Sequence, residues 1–405
     1  MSGAITQLIS LGAQDIDIGV DQNINSFKQI YKRHTNFTHF WSLLPVQGKA
    51  TAGNKTIINV IKKGDLLSYI TLKAIDSSGN PTRTKWNKQI DKIEFRIGEQ
   101  VIDSLDADYI ANLAFDLESS SHDGIKGLAY QSNFAWTLQV PFWFCRNYHS
   151  ALPLLSITNQ NIEIHIYWKT DASLTYDKDL EATADASDAF DGLPTTISSV
   201  ECLAHFITVD VEERSFFLSR NMHLLITQHQ TIKASNAKTL ELNISNPVKF
   251  ICAHGLDISS VYTVDSKGYQ NANTYHSVQI TTASKNAWWD NTSKVHLEIN
   301  GQRVAEPMHS MLAYSYLSRY HHSPGSTLLK MGDDARPDFG SWERIFLYPF
   351  CLDTSSFQPT GTLNFSRINK ARLVSDNASF LTNGYAVNYN ILRIQNGVAG
   401  VMYAN

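Results

Sequence analysis

The run Lys92-Ile93-Glu94-Phe95-Arg96-Ile97-Gly98-Glu99-Gln100-Val101 returns later in the chain as Lys294-Val295-His296-Leu297-Glu298-Ile299-Asn300-Gly301-Gln302-Arg303-Val304, with one residue inserted. Each copy reads as a strand, a Gly turn and a second strand. After each come a short helical stretch and an aromatic strand ending in Pro-Phe: Val140-Pro141-Phe142 in the first copy, Tyr348-Pro349-Phe350 in the second. Further on, Asn161-Ile162-Glu163-Ile164 falls where Lys370-Ala371-Arg372-Leu373 does. One such match arises easily by chance. Three in order, at offsets near half of the 405 residues, point to two copies of one fold. The copies are assigned to 27–210 and 221–405. Residues 211–220 join them, with Val211-Glu212-Glu213-Arg214-Ser215-Phe216-Phe217-Leu218 reading as an amphipathic linker helix, and residues 1–26 precede them as an N-terminal arm.

Period-two alternation in β-branched and aromatic runs, broken by Gly, Asn, Asp, Ser and Pro, makes the chain all-β. The clearest runs are Thr56 to Val60, Ser68 to Ala74, Ile90 to Ile97, Asn161 to Trp168, Leu240 to Ile244, Lys294 to Ile299 and Ala386 to Ile394. Helical periodicity is limited to connectors near Asp106 to Leu117, Val211 to Ser219 and His309 to Tyr316. A composition of 43% hydrophobic and 18% charged residues can bury two cores. Each half far exceeds the ~100 residues of an immunoglobulin-type sandwich. The predicted fold is therefore two tandem jelly-roll β-sandwiches with short connecting helices.

The net charge of −4 lacks the basic excess that phosphate neutralisation needs, so direct nucleic-acid binding is not expected. No uninterrupted apolar run reaches the ~18 residues of a membrane span. The start, Met1-Ser2-Gly3-Ala4-Ile5, has neither signal-peptide layout nor a Gly for myristoylation. Cys145, Cys202, Cys252 and Cys351 are far apart with no C-x-x-C pair, and are read as reduced core residues.

No motif supplies catalytic chemistry: there is no G-x-S-x-G elbow, no Gly-rich phosphate loop and no H-E-x-x-H. A cupin-like metal site needs about three His and a carboxylate converging in one barrel. Adjacent His321-His322 would point to opposite faces of a strand, and His149 and His165 lack a partner at metal-ligand spacing, so neither metal nor cofactor is expected. N-x-S/T acceptors occur at Asn36, Asn54, Asn243, Asn291, Asn364 and Asn377. Asn291, Asn54, Asn243 and Asn377 are the candidate glycosylation sites, Asn36 and Asn364 being expected to pack. The aromatic cluster Trp136, Phe142, Trp143, Phe144 is read as a core or subunit-interface strand; Trp288-Trp289 fits either a subunit contact or a carbohydrate platform. Two long segments, 170–196 (acidic) and 259–291 (rich in Asn, Ser, Thr and Tyr), are expected to be surface loops.

The ends of the chain are more specific. Leu8-Ile9-Ser10-Leu11-Gly12-Ala13-Gln14-Asp15 and Phe27-Lys28-Gln29-Ile30-Tyr31-Lys32-Arg33-His34-Thr35-Asn36-Phe37 closely resemble the opening of major capsid proteins of nucleocytoplasmic large DNA viruses, chlorovirus-like ones in particular. Pro359-Thr360-Gly361-Thr362-Leu363-Asn364-Phe365-Ser366-Arg367-Ile368, and Asn388-Tyr389-Asn390-Ile391-Leu392-Arg393-Ile394 through Tyr403-Ala404-Asn405, resemble the same family. The resemblance implies a structural coat protein, not an enzyme. It implies a double jelly roll that forms homotrimeric pseudo-hexagonal capsomers, tiling an icosahedral shell in the virion after assembly in the host cytoplasm. The implied partners are its own copies, neighbouring capsomers and minor capsid proteins, with an internal viral membrane contacted only indirectly. The rivals from other classes are a jelly-roll carbohydrate-binding module and a cupin-like enzyme.

Overall fold

The computed structural model describes residues 34–82, 84, 86–118, 137–170, 197–233, 238–254, 294–304, 306–309, 317–323, 345–375 and 383–403. The N-terminal arm, the loop regions 171–196 and 259–291, Trp136, Trp288, Trp289, Asn291 and Asn377 lie outside the described residues.

The first half supplies β1 (Phe37–Leu44), β2 (Val46–Gln47), β3 (Lys55–Asn59), β4 (Leu66–Ile75), β5 (Ile90–Ile97), β6 (Gln100–Asp106), β7 (Thr137–Gln139), β8 (Leu152–Pro153), β9 (Ile162–Trp168) and β10 (Ser199–Val209). The second half supplies β11 (Met222–Lys233), β12 (Thr239–Glu241), β13 (Pro247–His254), β14 (Lys294–Ile299), β15 (Gln302–Arg303), β16 (Met308–His309), β17 (Ile345–Pro349), β18 (Leu363–Asn364), β19 (Ala371–Ser375), β20 (Asn383–Gln395) and β21 (Val398–Val401). Sheet I runs β1-β10-β4-β7 with β8 on β4, and sheet II runs β2-β3-β9-β5-β6. Sheet III runs β11-β20-β13-β17 with β18 on β13 and β21 on β20, and sheet IV runs β12-β19-β14-β15 with β16 on β14. Sheet III thus repeats the order of sheet I, and sheet IV that of sheet II.

The repeat extends to register. Phe95 faces Ile164 and Arg96 faces Glu163 across β5 and β9; Leu297 faces Leu373 and Glu298 faces Arg372 across β14 and β19. The charged pair is conserved in place but exchanged in sign. The turn that follows needs left-handed backbone in both copies, met by Gly98 (φ 58°) and by Asn300 (φ 50°), residue types that enter this region most easily. Each turn donates the same bond: Gly98 N to Asn161 O at 2.7 Å, Asn300 N to Lys370 O at 2.7 Å. Even an irregularity is shared. A β-bulge falls at Ser68 on β4, between Leu67 and Tyr69, and at Lys249 on β13, between Val248 and Phe250.

Helical structure covers Ala107–Tyr109, a π-turn at Ile110–Ala114 and Phe115–Glu118, close to the expected connector. The linker helix forms at Val211–Ser219, capped by the Asp210 carboxylate accepting from Val211 N, with Glu212 and Glu213 in its first turn. It buries no residue completely: Val211, Phe216 and Leu218 are exposed, so the expected amphipathic packing is only partly realised, by half-buried Phe217. The third connector falls differently. Met308–His309 is a strand, Ser318–His322 is the helix, and 310–316 lie outside the described residues.

Two apolar clusters result. One is the second half's own core, including Ile251, Leu297, Phe346, Phe365, Leu373 and Ala386. The other contains the first half's core and also Ile226, Phe250, Cys252, Tyr385, Val387 and Leu392 from sheet III. Neighbours in sequence, Phe250 and Ile251 or Ala386 and Val387, therefore feed different clusters, because successive strand residues point to opposite faces. The middle of sheet III is buried on both sides.

Candidate functional site: the seam between the two rolls

The second covering of sheet III comes from the first roll, chiefly from edge strand β6 lying against β11. Ile102 O accepts from the Gln228 side chain, and the Asp103 carboxylate accepts from His229 N at 2.9 Å. His229 Nδ1 faces Asp103 Oδ2 at 3.0 Å, while its Nε2 faces Glu118 Oε1 at 2.9 Å. Both ring nitrogens meet carboxylate oxygens. Glu118 also accepts from Tyr109 OH and pairs with the Arg146 guanidinium. Two buried carboxylates thereby meet His229 and Arg146 within the seam.

Rings complete the enclosure. Tyr109 packs on His229 with centroids 4.9 Å apart and on Tyr385 at 5.3 Å, and Tyr385 OH donates to Asp106 Oδ1 at 3.1 Å. Burial pushes the Tyr109 phenol well above its ordinary range. Burial also pulls the Arg146 guanidinium down, opposed by Tyr109 and Asp103. At the far end of the seam, Asn159 N donates to Gly397 O at 3.0 Å, and Ala399 N donates to Gln160 Oε1 at 2.6 Å. Here the geometry binds protein to protein.

The residues singled out in sequence do not gather here. Asn54 is exposed and its amide donates to Thr51 Oγ1 at 2.6 Å; Asn243 is exposed between β12 and β13. Asn36 is exposed, and so is Asn364, whose side chain accepts from Ser366 N at 3.0 Å; neither packs as expected within the subunit. His165 lies buried on β9 with its Nε2 2.8 Å from Glu163, and His322 Nδ1 donates to Cys351 O at 2.8 Å. Among the described residues no three His, Cys, Asp or Glu side chains gather as a metal would require. The four cysteines are separate thiols, and burial raises them, to about 12 at Cys202 and about 11 at Cys351. Phe142, Trp143 and Phe144 surround Phe95 at 5.3, 5.4 and 5.1 Å in the first roll's core.

Two family profiles match in tandem: the major capsid protein N-terminus over residues 25–210, and the large eukaryotic DNA virus major capsid protein over residues 213–400. The chain belongs to the major capsid protein family of large eukaryotic DNA viruses. The major capsid protein of Pyramimonas orientalis virus is 28% identical, and that of Paramecium bursaria Chlorella virus 1 is 23% identical, each over 100% of both chains. In fold the chain is similar to VP54 of PBCV-1, with a TM-score of 0.68 at 21% identity over 94% of this chain and 100% of that one. It is also similar to the Faustovirus major capsid protein, with a TM-score of 0.61 at 12% identity over 97% and 96%. As a member of the capsid family, this is a structural component of the virion and not an enzyme. Its chemistry is the seam's: holding protein against protein.

Proposed function

We propose that this capsid protein forms a homotrimeric, pseudo-hexagonal capsomer that tiles the icosahedral shell of a large DNA virus. The observation that carries this reading is the seam. It fixes two similar rolls in one subunit, so that three subunits bring six similar units around one axis. In this reading residues 27–210 and 221–405 are the rolls, 211–220 is the linker, and 1–26 is an arm that orders against neighbouring capsomers or minor capsid proteins. The first family profile beginning at residue 25 supports that boundary. Assembly takes place in the host cytoplasm, and any internal membrane is met only through such partners. Light scattering on the purified chain tests the capsomer: a stable species of three times 45.5 kDa is expected, and a stable monomer or dimer overturns it.

A further inference from the structure

A cavity of about 290 Å³ lies between the first roll and the linker helix, lined by Lys62, Lys63 and Asp65 of the β3–β4 connection, Thr158, Thr208 of β10 and Arg214. Three cations therefore share the space with one carboxylate, a surplus of two positive charges. Asp65 is engaged by the fold itself: its Oδ2 accepts from Val209 N at 3.0 Å and its Oδ1 meets Arg214 Nε at 3.4 Å. The two ammoniums meet no carboxylate among the described residues. Lys62 donates to the carbonyls of Ile157 and Gln160, and Lys63 to Ser42 Oγ at 2.6 Å and Leu43 O at 3.1 Å. Partial burial lowers the Lys62 pKa, with no anion to raise it.

The duplicated half shows that the architecture does not require these charges. Counted back from the shared bulge, Lys62, Lys63 and Asp65 stand where Asn243, Ile244 and Asn246 do. The Asp65 position is buried in both rolls, at 4% and 6% exposure, in keeping with a role in the fold. At the two lysine positions the second roll has an exposed amide and an aliphatic side chain packed on its own core. β10 leads into the linker helix that carries Arg214, whereas its counterpart β20 turns back into β21. The cations are thus an addition to the first roll.

We propose that this cavity binds a phosphate group, held by the Lys62 and Lys63 ammoniums and the Arg214 guanidinium with the Thr158 and Thr208 hydroxyls beside it. A phosphate group carries about −1.5 to −2 at pH 7, which matches the surplus of charge, and its oxygens accept charge-assisted hydrogen bonds from ammonium and guanidinium donors. Bound there, it joins Arg214 of the linker helix to both lysines of the first roll. That helix is otherwise held through half-buried Phe217, whose carbonyl accepts from Ser156 Oγ at 2.8 Å. The site lies within one chain and stands whether or not the trimer forms.

Calorimetric titration of the full chain with inorganic phosphate, at pH 7 and low salt, tests this. One phosphate per chain is expected, with acetate weaker by about tenfold or more. Lys63→Gln and Arg214→Gln should each weaken phosphate binding by about tenfold or more, and Lys63→Arg should retain it. Lys370→Gln, which removes an equal charge from an exposed side chain beside Glu241, should bind as wild type does. Vesicles of phosphatidylcholine with and without phosphatidic acid separate two sources of the group. Sedimentation with the phosphatidic acid vesicles, lost in Arg214→Gln, assigns it to a lipid headgroup, and binding of the free ion alone assigns it to soluble phosphate. If either Gln variant is unfolded by circular dichroism, wild type still decides, because bound phosphate should raise its melting temperature where sodium chloride of equal ionic strength does not. Absence of phosphate binding by wild type, undiminished binding in a folded Gln variant of the cavity, or acetate bound as tightly as phosphate overturns the site.

Discussion

Tyr69 in sheet I and Phe250 in sheet III occupy the same place in duplicated strands, yet one lies under a partly exposed aromatic cover and the other under an entire roll. The two halves share strand order, register and bulge, so the difference is not in the fold. It lies in what each fold is asked to bury. The first roll packs an aromatic core of its own around Phe95 and uses its β6 edge to finish another core. The second roll's own cluster is smaller, and its sheet III is a middle layer whose second face depends on the first roll. Duplication has thus produced one nearly self-sufficient sandwich and one that is completed by its neighbour in the chain.

The comparison can be broken most directly at its paired positions. Phe250→Ala should cost about 3–5 kcal/mol of unfolding free energy, the usual loss for a fully buried ring. Tyr69→Ala should cost nearer 1–2 kcal/mol, because Tyr69 is only partly buried. Denaturant titration of both variants gives the answer. Equal losses would mean that the two faces are equivalent within the subunit.

His229 sharpens the electrostatic side. Replacing it with Ala removes the imidazole that lies between Asp103 and Glu118, leaving two buried carboxylates without that partner. Breaking a buried pair in this way should cost about 3 kcal/mol. The loss should appear first as separation of the rolls, followed by an early transition in tryptophan fluorescence. A single unshifted transition would place the strength of the seam in its apolar contacts alone.

Strands such as Ile90–Ile97 and Lys294–Ile299 were legible in sequence because their outer residues alternate between charge and hydrocarbon, and the repeat predicted their common register. The seam was not legible. Asp103, Glu118 and Arg146 look like ordinary solvated charges, since their partner His229 stands more than a hundred residues from the two acids. One signal was present: Gly384 through Asn390 in β20 is buried without interruption, and its Gly-Tyr-Ala-Val-Asn-Tyr-Asn lacks the alternation of a strand with one wet face. The Asn residues disguised it. Asn390 is buried because it donates to Gln228, a contact that no periodicity reports.

The smallest expected effect comes from the shared bulge itself. In the first roll the bulge residue is Ser68, whose hydroxyl meets His205 Nδ1 at 2.8 Å; in the second it is Lys249, with 0% exposure. The Lys249 ammonium donates to Ser356 O at 3.1 Å and lies 5.8 Å from the Tyr389 ring. Burial, with Arg146 adding to it, lowers its pKa from 10.5 to about 8, against a smaller pull upward from Cys351 and Asp353. Below pH 8 both the folded and unfolded chains carry the proton, and the folded state bears the full cost of hiding a charge. Between pH 8 and 10.5 the unfolded chain holds a proton that the folded one has released, so this group's contribution to stability rises with pH. Lys249→Met removes the charge at similar volume but leaves Ser356 O without its donor, an opposing loss of about 1–2 kcal/mol. The variant should therefore be more stable than wild type at pH 7 by only about 1 kcal/mol. That advantage should shrink, and then reverse, as the pH is raised toward 10. Urea unfolding at pH 7, 8.5 and 10 follows the difference directly, and a gap that stays constant across the three would show that Lys249 keeps its proton in the folded bulge.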